Sequence, residues 1–88
     1  MEPIERLERV REVLARRFPG AEFDLELSVP SRKVGGFVIW PGFEGKEQID
    51  RQQLVWQAIR GDLSRDDQLQ ITAILTVTPN EMAIMKEG

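Results

Sequence analysis

The chain of 88 residues has no cysteine, no histidine and no tyrosine, and each absence excludes a chemistry. Without cysteine there is no disulfide, no thiolate nucleophile and no sulfur ligand for iron, and a core built without covalent staples suits a reducing compartment, with the cytoplasm as the expected location. Without histidine the one side chain that titrates between pH 5 and 8 unaided is missing, so a general base would have to be a carboxylate. The serines Ser28, Ser31 and Ser64 have no base at recognisable spacing, and an enzyme is not expected. No apolar run reaches ten residues and charge begins at Glu2, so neither a membrane span nor a secretory leader is expected. An excess of positive charge is also lacking: the net charge is −3, which argues against a dedicated nucleic-acid binder.

What is present is the hydrophobic patterning of one small domain spanning residues 1–88. Ile4, Leu7, Val10, Leu14 and Phe18 recur at three- and four-residue steps after Pro3, so residues 3–18 read as an amphipathic helix stopped by Pro19-Gly20. Its outer face offers Glu5/Arg9, Glu8/Arg11 and Glu12/Arg16 as helical ion pairs. From Ala21 the period becomes two: Phe23, Leu25, Leu27 and Val29 on one side, Glu22, Asp24, Glu26 and Ser28 on the other. Gly35-Gly36 punctuates the connection to Phe37-Val38-Ile39-Trp40, a strand apolar on both faces and therefore central. Asp50 with Gln53 reads as a capping box opening a helix through about Leu63, with Leu54, Val55, Ala58 and Ile59 inward. Leu69 to Thr78 carries no charge and many β-branched residues, a further strand. Thr78-Pro79-Asn80-Glu81 supplies the cap, the proline and the third-position glutamate of a final helix.

The resulting order is α-β-β-α-β-α, an α+β fold with a three-stranded mixed sheet and helices packed on one face. The first two strands form an antiparallel hairpin, and a right-handed crossover makes the third parallel to the second.

Two stretches are more specific than patterning: Phe43-Glu44-Gly45, then Arg51-Gln52, Val55 and Trp56, and near the end Thr78-Pro79-Asn80-Glu81. Together they resemble the BolA-like family, with its Phe-x-Gly turn, its Arg-His pair, an aliphatic and an aromatic, and its Thr-Pro-x-Glu. The resemblance implies the fold just described, related to the type II KH fold, and a protein that binds monothiol glutaredoxins and in many members shares an iron–sulfur cluster with them through a histidine. Here the histidine position is Gln52, and the loop 30–36 offers Ser31, Arg32 and Lys33. An amide oxygen is a poor ligand for such a cluster, so no cofactor is expected. What the resemblance leaves is a noncatalytic adaptor acting through a protein partner, glutaredoxin-like or a second copy.

The residues proposed for that contact are Trp40, Val38, Phe43, Arg51 and Gln52. If Phe37 and Ile39 face the helices, Val38 and Trp40 lie on the open side of the sheet, rimmed by Glu22, Asp24 and Glu26; the alternative folds Trp40 under the Pro41-Gly42 turn. Arg51 is read either as a contact residue or as a surface ion-pair partner of Glu47 or Asp50. A second reading is KH-like nucleic-acid binding, weak, through Gly42-Phe43-Glu44-Gly45 and a basic cluster of Arg32, Lys33, Lys46 and Arg51; Glu44 opposes it because a carboxylate repels phosphate. The simpler reading of that GxxG is a tight turn with Phe43 tucked beneath.

Overall fold

A computed structural model describes residues 3–29 and 31–87. The element order is α1 (Pro3–Arg17), β1 (Glu22–Leu27), β2 (Val34–Ile39), a 3₁₀ turn (Pro41–Phe43), α2 (Gln48–Asp62), α3 (Arg65–Gln68), β3 (Ile71–Val77) and α4 (Pro79–Glu87). The sheet runs β1-β2-β3, with β1 antiparallel to β2 and β2 parallel to β3. The expected order and strand directions are those observed, with the short α3 added. A crossover of this length needs a helix, and α2 supplies it.

Alternation along the strands divides the sheet into two faces. Val38 lies beside Phe23 and Thr76 in the register, Leu25 and Gly36 beside Ile74, and Leu27 and Val34 beside Ile71. This face meets Val10, Val13 and Leu14 of α1 and Val55, Ala58 and Ile59 of α2 in one continuous core. Phe18, Phe43 and Leu63 close its ends. The other face carries Glu22, Asp24 and Glu26 of β1, Phe37 and Ile39 of β2, and Leu75 and Val77 of β3.

Three local features differ from the sequence reading. Gly35 and Gly36 lie inside β2 rather than before it. Both sit where strands approach too closely for a side chain: a Cβ on Gly35 would lie 2.5 Å from Thr72 Oγ1, and one on Gly36 would collide with the Asp24 carbonyl oxygen. Gly36 also has a positive φ of 139°, and a register shift separates Val34 from Gly36 against β3. Secondly, α2 begins at Gln48, with Glu47 as its N-cap and no side-chain capping bond, so Asp50 and Gln53 form no capping box. The capping box of α4 is present: Glu81 N–H donates to Thr78 Oγ1 at 3.2 Å and Thr78 N–H donates to Glu81 Oε1 at 2.8 Å. Thirdly, α3 is capped by Ser64, whose hydroxyl accepts from Asp67 N–H at 3.2 Å. Among the described residues no helix is long and apolar enough to cross a membrane.

Candidate functional site

The two sequence signatures meet in space. Arg51, one turn into α2, is only 5% exposed. Its guanidinium donates from Nη1 to Glu81 Oε1 at 2.7 Å and from Nη2 to Oε2 at 3.4 Å, from Nε to the Lys46 carbonyl at 2.9 Å, and from Nη1 to the Thr76 carbonyl at 3.3 Å. Phe43 lies under it, with the ring centroid 5.8 Å from the guanidinium carbon. Glu81 is thus held by Arg51 on one side and by the Thr78 amide on the other, and both hold its carboxyl below the ordinary glutamate range, Arg51 the more. This corrects the expectation for Arg51: it pairs with neither Glu47 nor Asp50 and is not a surface contact residue. Sequence distance hid the pair, since thirty positions separate the two residues; the link between the signatures was the available signal.

Beside this staple, α2 covers the outer edge of β3. Gln48 Nε2 donates to the Thr76 carbonyl at 3.2 Å while its Oε1 accepts the Thr76 hydroxyl at 2.8 Å. Gln52, half-buried one turn on, donates from Nε2 to the Ile74 carbonyl at 2.8 Å and to Thr76 Oγ1 at 3.4 Å. An edge strand presents a row of unpaired carbonyls to any passing strand, and here Gln48, Arg51 and Gln52 occupy them. Their i, i+3, i+4 spacing places them on one helical face. The position expected for a histidine is therefore filled by a side chain engaged with the strand backbone. Among the described residues no three or more aspartate or glutamate carboxylates lie close enough together to hold a metal ion.

Val38 and Trp40, expected on the open face, are on the helix side. Val38 and Phe43 are both 0% exposed, and an inaccessible side chain cannot be a docking surface. Trp40 is half-buried in a T-shaped pair with Phe18, centroids 5.1 Å apart, and another with Phe43, 5.2 Å apart. Its Nε1–H donates to the Pro19 carbonyl at 3.0 Å. A Cβ on Gly42 would come within 2.5 Å of the indole, so the ring lies against the Pro41-Gly42 turn, the alternative the sequence allowed. The inversion is one of phase: strand alternation leaves two assignments open, and burying Val38 with Leu25 and Ile74 puts Phe37 and Ile39 on the opposite face.

The basic cluster does not form. Arg32 and Lys33 precede β2 and Lys46 follows it, so a six-residue strand rising about 3.3 Å per residue separates them, and Arg51 is buried and paired. Gly42-Phe43-Glu44-Gly45 folds as the 3₁₀ turn and its exit, with Gly45 at φ 78° and Phe43 driven into the core. At the end of α2 Asp62 pairs with Arg17 at 3.5 Å, and in α3 Asp67 pairs with Arg6 at 3.4 Å. Those two bridges draw α1 arginines out of the solvated face; Glu8–Arg11 and Glu12–Arg16 pair as expected, at 3.6 and 2.8 Å.

Concavities among the described residues include the following two. A cleft of about 370 Å³ runs between Ile39, Glu22, Gly20 and Pro41 on one side and Pro79, Met82, Ala83 and Lys86 of α4 on the other. A groove of about 330 Å³ lies where the start of α1 meets the end of β1, lined by Pro3, Ile4, Leu27, Ser28, Val29 and Arg32.

No protein-family model matches the sequence, and no curated protein matches it significantly. Solved structures do match. BolA1 from Arabidopsis thaliana superposes with a TM-score of 0.64 at 24% identity, over 86% of this chain and 94% of that one. A bol-like protein from Babesia bovis gives 0.64 at 24% identity, over 91% and 92%. A bolA protein homologue from Coxiella burnetii gives 0.53 at 24% identity, over 94% and 97%. Agreement across nearly the whole of each chain, in element order and strand direction, identifies the architecture: this chain has the BolA-like fold.

Proposed function

We propose that this chain is a divergent BolA-like protein of the cytoplasm, working as a noncatalytic adaptor through protein–protein contacts and without iron–sulfur ligation of its own. The observation that carries the reading is the state of Gln52. The fold's histidine position holds an amide whose nitrogen is bound to the Ile74 carbonyl, and the full sequence supplies neither histidine nor cysteine. Such a donor set does not fit an iron–sulfur cluster, which is held by thiolate and imidazole. The same side chain instead protects a strand edge, a structural task compatible with a protein whose work is done by its surface.

Anaerobic reconstitution with a monothiol glutaredoxin tests the cluster half of the reading: no heteromeric absorption or circular-dichroism signature should develop, and a signature lost on substituting Gln52 would overturn it. The adaptor half predicts a stoichiometric partner retained in pull-downs from the native organism, and hydrolytic or redox turnover by the purified chain would overturn that.

A further inference from the structure

The two edges of the sheet are treated differently. On β3 the outward carbonyls of Ile74 and Thr76 are occupied by α2 side chains. On β1 they are open. The Ser28 N–H donates to the Lys33 carbonyl at 2.9 Å, so Ser28 and, by alternation, Glu26, Asp24 and Glu22 turn their backbone groups toward β2. Phe23, Leu25 and Leu27 consequently turn theirs outward, and among the described residues no side chain bonds to them.

Building on the adaptor reading, we propose that β1 receives an added strand from a protein partner, an extended segment in which Lys or Arg alternates with aliphatic residues and pairs antiparallel with β1. Three observations on β1 converge on that chemistry. The outward N–H and C=O groups of Phe23, Leu25 and Leu27 supply the ladder. Glu22, Asp24 and Glu26 are exposed, stand in a row on the open face, and take part in no ion pair among the described residues. Residues of the new strand directly opposite them share their face, so cations are favoured there. On the helix face the groove between Ile4, Leu27 and Val29 opens beside the same strand, with Ile4 and Val29 63% and 91% exposed. An aliphatic side chain across from Leu27 enters it.

The charges also select against a second copy. In an antiparallel β1–β1 pair, carboxylates would stand opposite carboxylates, which is destabilising.

The probe is the peptide acetyl-Lys-Val-Lys-Ile-Lys-Val-Lys-amide, titrated into the full chain and followed by amide shifts and hydrogen exchange. Expected are protection of the Phe23, Leu25 and Leu27 amides and loss of binding when the peptide's Val and Ile nitrogens are methylated. Those nitrogens face β1, whereas the lysine amides face solvent and tolerate methylation. The variant Asp24→Lys/Glu26→Lys, at exposed positions, should keep the wild-type circular-dichroism spectrum and bind about tenfold more weakly, as expected for two exposed ion pairs reversed. Absence of binding at millimolar peptide, equal binding of both methylated peptides, or protection elsewhere than β1 would overturn the proposal, as would wild-type dimerisation through β1 in sedimentation. These outcomes leave the adaptor reading standing: a native partner retained equally by wild type and Asp24→Lys/Glu26→Lys would sink the β1 edge alone.

Discussion

Arg51 carries more of this structure than any other polar residue, because it satisfies Glu81, the Lys46 carbonyl and the Thr76 carbonyl at once. Replacing it by methionine keeps the packing on Phe43 but strands the Lys46 carbonyl and leaves Glu81 without its cation, while Gln48 still serves the Thr76 carbonyl and the Thr78 amide still serves Glu81. Urea unfolding should therefore show a loss of about 2–3 kcal/mol, the scale for stranding buried polar groups. Glu81→Gln should cost less, since Glu81 remains partly exposed and a surface-facing pair is screened. The pair also sets an acid response. Glu81 binds its proton less readily when folded, so its contribution is fully present above the ordinary glutamate pKa of about 4.3 and is lost as the pH falls through the lower folded value. Acid titration of stability should show that slope in the wild type and a shallower one in Glu81→Gln. Trp40 belongs to the same scale. With Phe18 and Phe43 against it, its fluorescence should be blue-shifted, and Trp40→Ser should destabilise by about 2–4 kcal/mol, since a partly buried aromatic is lost. A fully wild-type stability would return Trp40 to the surface.

At the scale of elements, the glycines decide where β2 begins. Gly36→Ala must push strands apart or distort a positive φ and should weaken the β1–β2 hairpin severely, whereas Gly45→Ala, with open space around it, meets only the φ penalty of about 1 kcal/mol. Thermal melts of the two variants separate close approach from backbone conformation; equal losses would mean that β2 does not pass so near Asp24. These same positions mark the limits of reading elements from sequence. The period-3.6 and period-2 patterns placed α1, β1 and β3 within a few residues, because burial of one face writes itself into side-chain type. Gly35-Gly36 reads as a break in the sequence because glycine inside a strand is a matter of tertiary approach, invisible to local pattern. The face assignment of β2 failed for a related reason. A strand apolar on both sides carries no phase of its own, so which residues meet the helices depends on register with β1 and β3. Gln52 and Glu81 stand out in the sequence signatures, yet their roles lie in contacts across 22 and 30 positions, and Gln48, whose partner is 28 positions away, belongs to neither signature.

For the molecule as a whole, the charge distribution favours protein over nucleic acid. Its basic residues are scattered or spent in bridges to Asp62, Asp67 and Glu81, and its exposed row on β1 is acidic. Single-stranded RNA should bind weakly at physiological salt and still more weakly as salt rises. Tight binding insensitive to salt would restore the nucleic-acid reading, and strengthening by Glu44→Lys would show that the Gly42–Gly45 turn can cradle phosphate after all.

One further consequence lies in how α4 is attached. It has no buried residue of its own, and its hold on the body runs through Thr78 and Glu81 in its first turn. The helix therefore behaves as a tail on a latch, whose catch on the body is Arg51 of α2. Limited proteolysis below the ordinary glutamate pKa of about 4.3 should clip the chain beyond Val77 sooner than anywhere else between Glu22 and Val77. The trimmed product keeps Gln48, Arg51 and Gln52 over its third strand and should therefore elute as a monomer from a gel-filtration column.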